Sequence, residues 1–269
     1  MEIFEYAFMQ KAFIVGIMLA IIIPCIGVIV VLKRLSMIGD ALSHTSLAGI
    51  AAGLILRINP VLGAIILTII AAFGIEFIRK RIPKYAEMSI AIIMSAGIGL
   101  AGVLSGFVKN AANFNSFLFG SIVAISDFEL YLVTGISILV LLTFILLYKE
   151  LFYVSMDERS ARLAGIPVNI VNFIFTILTA VTVSIAARTV GALIVSSLMV
   201  VPVACGMQFG KSYKQTVIYS IISAVLFNIM GLFISYYRHL KPGGTIVLVG
   251  VVSLLLIIII KRITGKSLN

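Results

Sequence analysis

Long apolar runs make up most of this chain, and short breaks containing charged residues, Pro, Gly or Asn separate them. A helix needs about 20 predominantly apolar residues to cross the roughly 30 Å hydrocarbon core of a bilayer. Runs of about this length lie near residues 12–32, 38–56, 60–78, 88–108, 128–148, 169–187, 190–209, 215–236 and 245–260. The pattern predicts an all-α polytopic membrane protein with 8–9 transmembrane helices. In the eight-helix alternative, one short run is re-entrant.

The composition also favours a membrane protein. Hydrophobic residues account for 62% of the chain, whereas soluble globular domains contain about 45–50%. No stretch is long and polar enough for a soluble domain, so we expect residues 1–269 to form a single transmembrane domain. The acidic start, Met1–Glu5, lacks the positive region of a cleavable signal peptide. The expected location is the cell (inner or cytoplasmic) membrane, with several crossings.

The net charge of +10 is explained by topology. With nine crossings and the N-terminus outside, the cytoplasmic breaks hold 14 Lys and Arg residues and the outer breaks hold 6. This excess is the positive-inside bias that orients membrane proteins. We therefore expect membrane lipids as partners and no nucleic acid.

The second apolar run contains an aspartate and a histidine, Asp40 and His44, in the segment Gly39–His44. Residues at i and i+4 lie on the same face of a helix, one turn apart. One carboxylate oxygen and one imidazole nitrogen can then bind the same divalent cation, such as Zn²⁺ or Mn²⁺. Ionisable groups at membrane depth are costly, so this pair is the first candidate for a metal site.

An alternative explanation is structural: Asp40 caps the helix and His44 forms a hydrogen bond inside the bundle. A histidine one turn later is not needed for capping, and Ser43 and Thr45 offer further oxygen atoms beside the pair. Two ligands are too few for a four- or six-coordinate ion, so the others must come from other spans, a second subunit or water.

The remaining ionisable residues have simpler explanations. We expect Glu76 to pair with the basic cluster Arg79–Arg81, Glu87 and Asp127 to act as helix caps, and His239 to be an exposed loop residue. Two other residues, Cys25 and Cys205, fall in apolar runs and are expected to be packing residues rather than a disulfide or a metal site.

A polar break of about 150–168 predicts a short helix at the cytoplasmic surface. Ser155 followed three residues later by Glu158 is a capping-box pattern, and Gly165 with Pro167 predicts the end of the helix. The helix is either a connection that lies on the lipid headgroups or a docking element for a cytoplasmic partner.

Three other places depart from the regular apolar pattern. Within residues 110–127, the run 113–121 is too short to span the membrane and too apolar for a free loop, which favours a re-entrant or interfacial segment. Arg188 lies between two apolar runs, where an arginine can extend to the membrane interface. Pro202 lies inside a run and is expected to kink its helix, either structurally or beside a pathway.

The chain contains no G-x-x-x-x-G-K-[ST] phosphate-binding loop. It also contains no Ser/His/Asp set or facing carboxylates that suggest an intramembrane hydrolase. We therefore predict that the chain is not itself an enzyme.

The segment Arg34–His44 resembles the start of the second span in membrane subunits of zinc/manganese ABC importers. Further resemblances follow in the family's order along the chain. They lie at Phe119-Gly120-Ser121, Asp157–Pro167, Arg188–Val195 with Pro202, and Pro242–Leu248. One difference is visible: Arg238, His239 and Lys241 occupy a neighbourhood in which relatives often carry an acidic residue.

This resemblance implies a type II ABC-importer-like permease bundle. The implied complex contains a second copy of the chain, cytoplasmic ABC ATPase subunits that bind ATP, and an extracellular metal-binding protein. The metal ligands of the family correspond to Asp40 and His44, and no cofactor is implied in this chain. The residues implied to couple to the ATPase are Asp157, Glu158, Arg159, Ala161, Arg162, Leu163 and Gly165. The candidate gating residues are Phe119, Gly120, Arg188 and Pro202.

The transported ion is predicted to be Zn²⁺, followed by Mn²⁺. The alternative function is a secondary metal-ion transporter that needs no ATPase. The depth of the metal site stays open in the sequence, because Lys33 and Arg34 closely precede Asp40. On an uninterrupted helix, Asp40 would lie in the cytoplasmic half of the membrane unless residues 35–39 form a broken, inserted segment.

Overall fold

A computed structural model describes residues 5–82, 85–108, 125–192 and 194–264. Within these ranges all regular structure is helical, as the sequence predicted. The elements are α1 (Ala7–Leu32), α2 (Ile38–Leu56), α3 (Pro60–Arg81), α4 (Ala86–Ser105), α5 (Asp127–Leu146), α6 (Tyr148–Met156), α7 (Glu158–Leu163), α8 (Val168–Ala186), a π-helix (Ala187–Gly191), α9 (Val195–Phe209), α10 (Tyr213–Arg238) and α11 (Pro242–Ile263).

Eight of the described helices are long and apolar enough to cross a membrane, and α9 is a shorter apolar helix. The 15 residues of α9 extend about 22 Å at 1.5 Å per residue, less than the roughly 30 Å hydrocarbon core. The predicted runs 169–187 and 190–209 are divided differently in the structure, because α8 continues into the π-helix as far as Gly191. Gly191 adopts a φ of 110° there, a conformation that ends a right-handed helix and that hydropathy does not reveal.

Ion pairs and hydrogen bonds between residues near different helix ends show which ends lie on the same side of the bundle. At one side, Lys33 pairs with Glu158, and the Lys261 ammonium donates to the carbonyl of Gln208. At the other side, Lys11 pairs with Asp127, with 2.6 Å between Nζ and Oδ1. The helix ends therefore alternate between the two sides as the nine apolar runs predicted. Although α9 is short, it brings the chain back to the side that carries Lys33.

The centre of the bundle is formed by α1, α2 and α8. In each of them, 72% of the 18-residue apolar stretch that could cross a membrane is buried. The corresponding share is only 17% in α4 and 22% in α5 and α11. The peripheral helices therefore present apolar side chains outward, as a helix in a lipid bilayer requires.

The position of α2 is fixed by an unusually close contact with α3. A Cβ on Gly63 would lie 2.5 Å from the carbonyl oxygen of Gly49, and one on Gly53 would lie 2.9 Å from the Cα of Pro60. Small residues let membrane helices approach at backbone distance. The packing of glycines against α3 thus holds the helix that carries Asp40 and His44.

Candidate metal site and coupling helix

The aspartate–histidine pair lies in the first two turns of α2. Both side chains are partly exposed, whereas Ala41 and Leu42 between them are fully buried. Neither the Asp40 carboxylate nor the His44 imidazole forms a hydrogen bond or an ion pair with another described residue. The two groups therefore share an outward face of the protomer, and their donor atoms are available to a ligand.

The capping explanation for Asp40 is wrong. The N-cap position of α2 is Met37, and no side chain caps this end. The hydroxyls of Ser43 and Thr45 donate to the carbonyls of Gly39 and Ala41, at 2.7 and 2.8 Å. Since both hydroxyls are buried, they lie inside the bundle rather than on the face that carries the pair.

Asp40 and His44 are two potential metal ligands in one protomer. In the described ranges, no group of three or more His, Cys, Asp or Glu residues is close enough to hold a metal ion. That further ligands come from other spans, a second subunit or water stays a prediction.

The turn before α2 decides the depth of the pair. Arg34 adopts a left-handed φ of 57°, and the N–H groups of Arg34 and Leu35 donate to the carbonyls of Val31 and Val30. These two bonds form a Schellman motif, which ends α1. The inserted segment over 35–39 is therefore absent, and Asp40 lies in the first turn of α2 near the side that carries α7.

The predicted surface helix is present as α7, but it begins differently. Its N-cap is Asp157 rather than Ser155: the carboxylate accepts from the N–H groups of Arg159 and Ser160 at 3.0 and 3.1 Å. The hydroxyl of Ser155 donates to the carbonyl of Phe152 inside α6. Gly165 ends the segment with a φ of 82°, as predicted.

The helix α7 buries one side and exposes the other. Ala161 is 1% exposed and Leu163 is 90% exposed, and Arg159 and Arg162 are also exposed. The exposed side of α7 therefore combines one apolar and two basic side chains, and its docking role stays a prediction.

An ionic cluster joins α7 to α3, α8 and the end of α1; we call Lys33, Arg79, Glu158 and Asn172 the Glu158 cluster. The Glu158 carboxylate accepts from the Lys33 ammonium at 3.0 Å and from the Asn172 amide at 3.0 Å. Arg79 lies 3.7 Å from the same oxygen and pairs at 2.7 Å with Glu76. The pairing of Glu76 with its basic neighbours was predicted and is confirmed.

The charges in this cluster shift each other's proton affinity. Burial raises the pKa of Glu158, but Lys33, Asn172 and Arg79 outweigh it, and the pKa of this carboxyl lies below its usual value. Burial also lowers the pKa of the Lys33 ammonium, an effect that Glu158 partly offsets. At the N-terminus of α7, the bonds from Ser160 and Arg159 lower the pKa of Asp157.

At the opposite side of the bundle, Arg188 is held in an ion pair. Its Nε lies 2.8 Å from the Glu129 carboxylate, and both side chains are less than one-fifth exposed, at 17% and 14%. Ser126, and not Asp127, caps α5 in a capping box with Glu129. Arg188 belongs to the π-helix. The sequence suggested an arginine that extends to the membrane interface, whereas the structure pairs its side chain with Glu129.

The other candidate gating positions have different outcomes. Pro202 is buried within α9, beside the close approach of Gly27 to the backbone of Met199. Phe119 and Gly120, with most of the predicted segment 110–127, lie outside the described residues. His239 is exposed and ends α10 with a left-handed φ of 53°, as expected for a loop residue.

Sequence reasoning missed three residues that the structure brings into ion pairs or hydrogen bonds. The sequence indicated only that Lys33 lies at the membrane boundary before Asp40, and Asn172 is a single polar residue in an apolar run. Glu129 carried a usable signal, since Ser126 precedes it by three residues in a capping-box pattern.

The whole chain matches known membrane transport proteins. The model of the ABC 3 transport family matches residues 5–261. The high-affinity zinc uptake system membrane protein ZnuB of Haemophilus influenzae is 32% identical, with 91% of this chain and 94% of that protein covered. The manganese import system permease protein ScaB of Streptococcus gordonii is 30% identical, with 91% and 88% covered.

A solved structure has the same fold. PsaBC from Streptococcus pneumoniae, determined in complex with a Fab, superposes with a TM-score of 0.85 at 28% sequence identity, covering 95% of this chain and 92% of that chain. The likeness extends over the described helices and confirms the predicted ABC-importer-like bundle. The chain therefore belongs to the ABC 3 transport family, as a multi-pass permease of the cell membrane.

Proposed function

We propose that two copies of this chain form the membrane path of an ATP-driven importer for a divalent transition-metal ion, with residues 1–269 acting as one permease domain. Asp40 and His44 of each copy are the proposed metal ligands. The observation that carries this proposal is the position of the pair: two ionisable groups, one turn apart and without protein partners among the described residues, face outward from a buried helix. Ionisable groups in a membrane span are costly, and groups without protein partners are therefore candidates for a functional site.

The arrangement also supports the need for a second copy. One protomer offers two ligands, and a twofold-related pair would offer four, the number that a tetrahedral Zn²⁺ site requires. In this proposal the ion passes between the protomers, where Asp40 and His44 of each copy face one another.

Zinc is the proposed preferred ion, followed by manganese. Imidazole nitrogen is a common ligand of Zn²⁺, whereas Mn²⁺ favours carboxylate, carbonyl and water oxygens. A site with equal numbers of His and Asp residues therefore suits zinc better. The relatives carry both names, since ZnuB is a zinc uptake protein and ScaB a manganese import protein.

The energy for import is proposed to come from ATPase subunits that dock on α7. The chain has no phosphate-binding loop, and α7 presents Leu163 with Arg159 and Arg162 to solvent. An extracellular metal-binding protein would deliver the ion at the side that carries Arg188 and His239.

The test is metal uptake by vesicles that contain the chain and its ATPase. Asp40→Ala and His44→Ala are each expected to abolish uptake while membrane insertion and association with the ATPase persist. Glu87→Gln serves as the control, because Glu87 is an exposed acidic residue in the first turn of α4. Normal uptake by either alanine variant would reject the site.

The choice of metal needs a separate experiment. Zn²⁺ and Mn²⁺ compete for uptake at equal concentration, and zinc is expected to inhibit manganese uptake more strongly than the reverse. Preferential uptake of Mn²⁺ would reject the zinc preference and leave the proposed site in place.

A further inference from the structure

The Glu158 cluster connects α7 to the end of α1, directly before the turn that leads into the helix with the proposed metal ligands. Glu158 is the first residue of α7, and it contacts Lys33 directly after α1 and Asn172 in α8. The Lys33 side chain is only 5% exposed and Asn172 is 4% exposed, whereas the Glu158 side chain is 38% exposed. This polar junction therefore joins a buried ammonium and a buried amide to a partly exposed carboxylate.

The Lys33 ammonium lies at the centre of this junction and contacts several of its groups. Its ammonium donates to Glu158 at 3.0 Å and to the Asn172 amide oxygen at 2.6 Å, and it lies 5.5 Å above the ring of Phe175. The other described charges that face the junction are Arg79 and, through it, Glu76. The contacts of the ammonium come from α7 and α8, whereas Arg79 of α3 is a like charge that is held by the same carboxylate.

The backbone after Lys33 is equally well fixed. The Schellman bonds of Arg34 and Leu35 close the end of α1, and Leu35 is 5% exposed. The N–H of Ile38 then donates to the carbonyl of Leu35 at 2.8 Å, and Asp40 follows two residues later. A displacement of Lys33 therefore passes to the start of α2 through a short turn with internal hydrogen bonds.

We propose that Lys33 and Glu158 are positioning residues that link movement of α7 to movement of the Asp40/His44 helix. This inference rests on the proposed function, because it concerns how the import cycle reaches the metal ligands. The ATPase would move α7, Glu158 would carry Lys33 with it, and the α1–α2 turn would shift Asp40.

An ion pair suits this task better than an apolar contact. Apolar surfaces slide over one another at small cost, because the hydrophobic effect has no direction. Separating this pair leaves the buried Lys33 ammonium without its opposite charge, which is costly where the local dielectric constant is low. The Lys33–Glu158 contact can therefore pull α2 as well as push it.

The experiment measures metal ions imported per ATP hydrolysed in vesicles that contain the permease and its ATPase. Lys33→Met and Glu158→Gln are each compared with wild type and with Glu87→Gln. We expect each of the two variants to hydrolyse ATP, while the number of ions imported per ATP falls by a factor of about five or more. A factor of about five is the lower end of typical coupling between two sites. Poor folding alone removes import and ATP hydrolysis together, so it leaves the ratio unchanged.

The double variant Lys33→Met/Glu158→Gln separates a shared link from two independent effects. Because both substitutions break the same contact, its ratio is expected to be no lower than that of the worse single variant. Wild-type ratios in both single variants, or an additive loss in the double variant, would overturn the link. If Lys33→Met does not assemble with the ATPase, the ratio of Glu158→Gln alone decides.

These outcomes are distinct from a failure of the proposed function. If Asp40→Ala imports metal normally, the proposed site is rejected whatever the ratios of the cluster variants. If Asp40→Ala abolishes import while the cluster variants keep the wild-type ratio, only the link is rejected.

Discussion

The contact between α2 and α3 gives the sharpest prediction on stability. In Gly49→Ala, the new Cβ would fall against the carbonyl oxygen of Gly63, 2.7 Å from the Cα and 2.9 Å from the N of Ala64. Carbon atoms pack at about 3.5–4.0 Å, so the two helices must separate by about 1 Å. All three neighbours are backbone atoms, and no side chain can rotate away.

The magnitude follows from two opposing effects. Overpacking a close contact costs about 1–3 kcal/mol, and alanine recovers up to about 1 kcal/mol over glycine in a helix. We expect a net loss of about 1–2 kcal/mol, which lowers Tm by about 2–8 °C if soluble domains of this size are a guide. Metal import should fall as well, because α2 moves with its ligands.

The assay is thermal unfolding of the purified protein in detergent, followed with a thiol-reactive fluorophore. Cys25 and Cys205 are both free and buried, as the sequence predicted, so they react as the protein unfolds. Gly99→Ala and Gly135→Ala are the controls, since a Cβ at either glycine has no neighbour within 4 Å. If Gly49→Ala unfolds at the same temperature as these controls, the described α2–α3 contact is incorrect.

Three further predictions concern the two ends of the bundle. Arg188→Met should lower stability by about 1–3 kcal/mol because Glu129 loses its charged partner. The thiol assay measures this loss. If Arg188→Met/Glu129→Gln loses the same amount of stability again, the prediction is contradicted. Gly165→Ala should cost about 1–2 kcal/mol from the positive φ alone, since a Cβ there has no neighbour within 4 Å, whereas Gly165→Asn should be milder in the same assay. The depressed pKa of Glu158 stabilises the protein at pH values above its usual 4.5, and this contribution is lost as the pH falls through the lower folded value. The stability difference between wild type and Glu158→Gln should therefore shrink on acidification, and a difference that grows would contradict this sign.

The helix boundaries show where hydropathy stops being informative. The end of α8 was placed near residue 187, yet the chain continues as a π-helix to Gly191. The π-helical segment contains Arg188 and Thr189, so the hydrophobic pattern indicates a break there although the backbone stays helical. Similarly, Ser155 and Asp157 both precede a suitable helix, and only the extended backbone of Asp157 makes it the cap.

The sequence by itself determined the membrane class, a count of 8–9 apolar runs, the family and the Asp40–His44 candidate. These depend on run length, charge distribution and residue spacing, all of which are properties of the linear chain. Only the tertiary structure decided that Ser43 and Thr45 face inward while Asp40 and His44 face outward. It also decided that Lys33 meets Glu158, 125 positions further along the chain. Such contacts depend on how helices pack, and packing between helices that are apolar all round is set by side-chain shape and a few buried polar bonds, which periodicity does not encode.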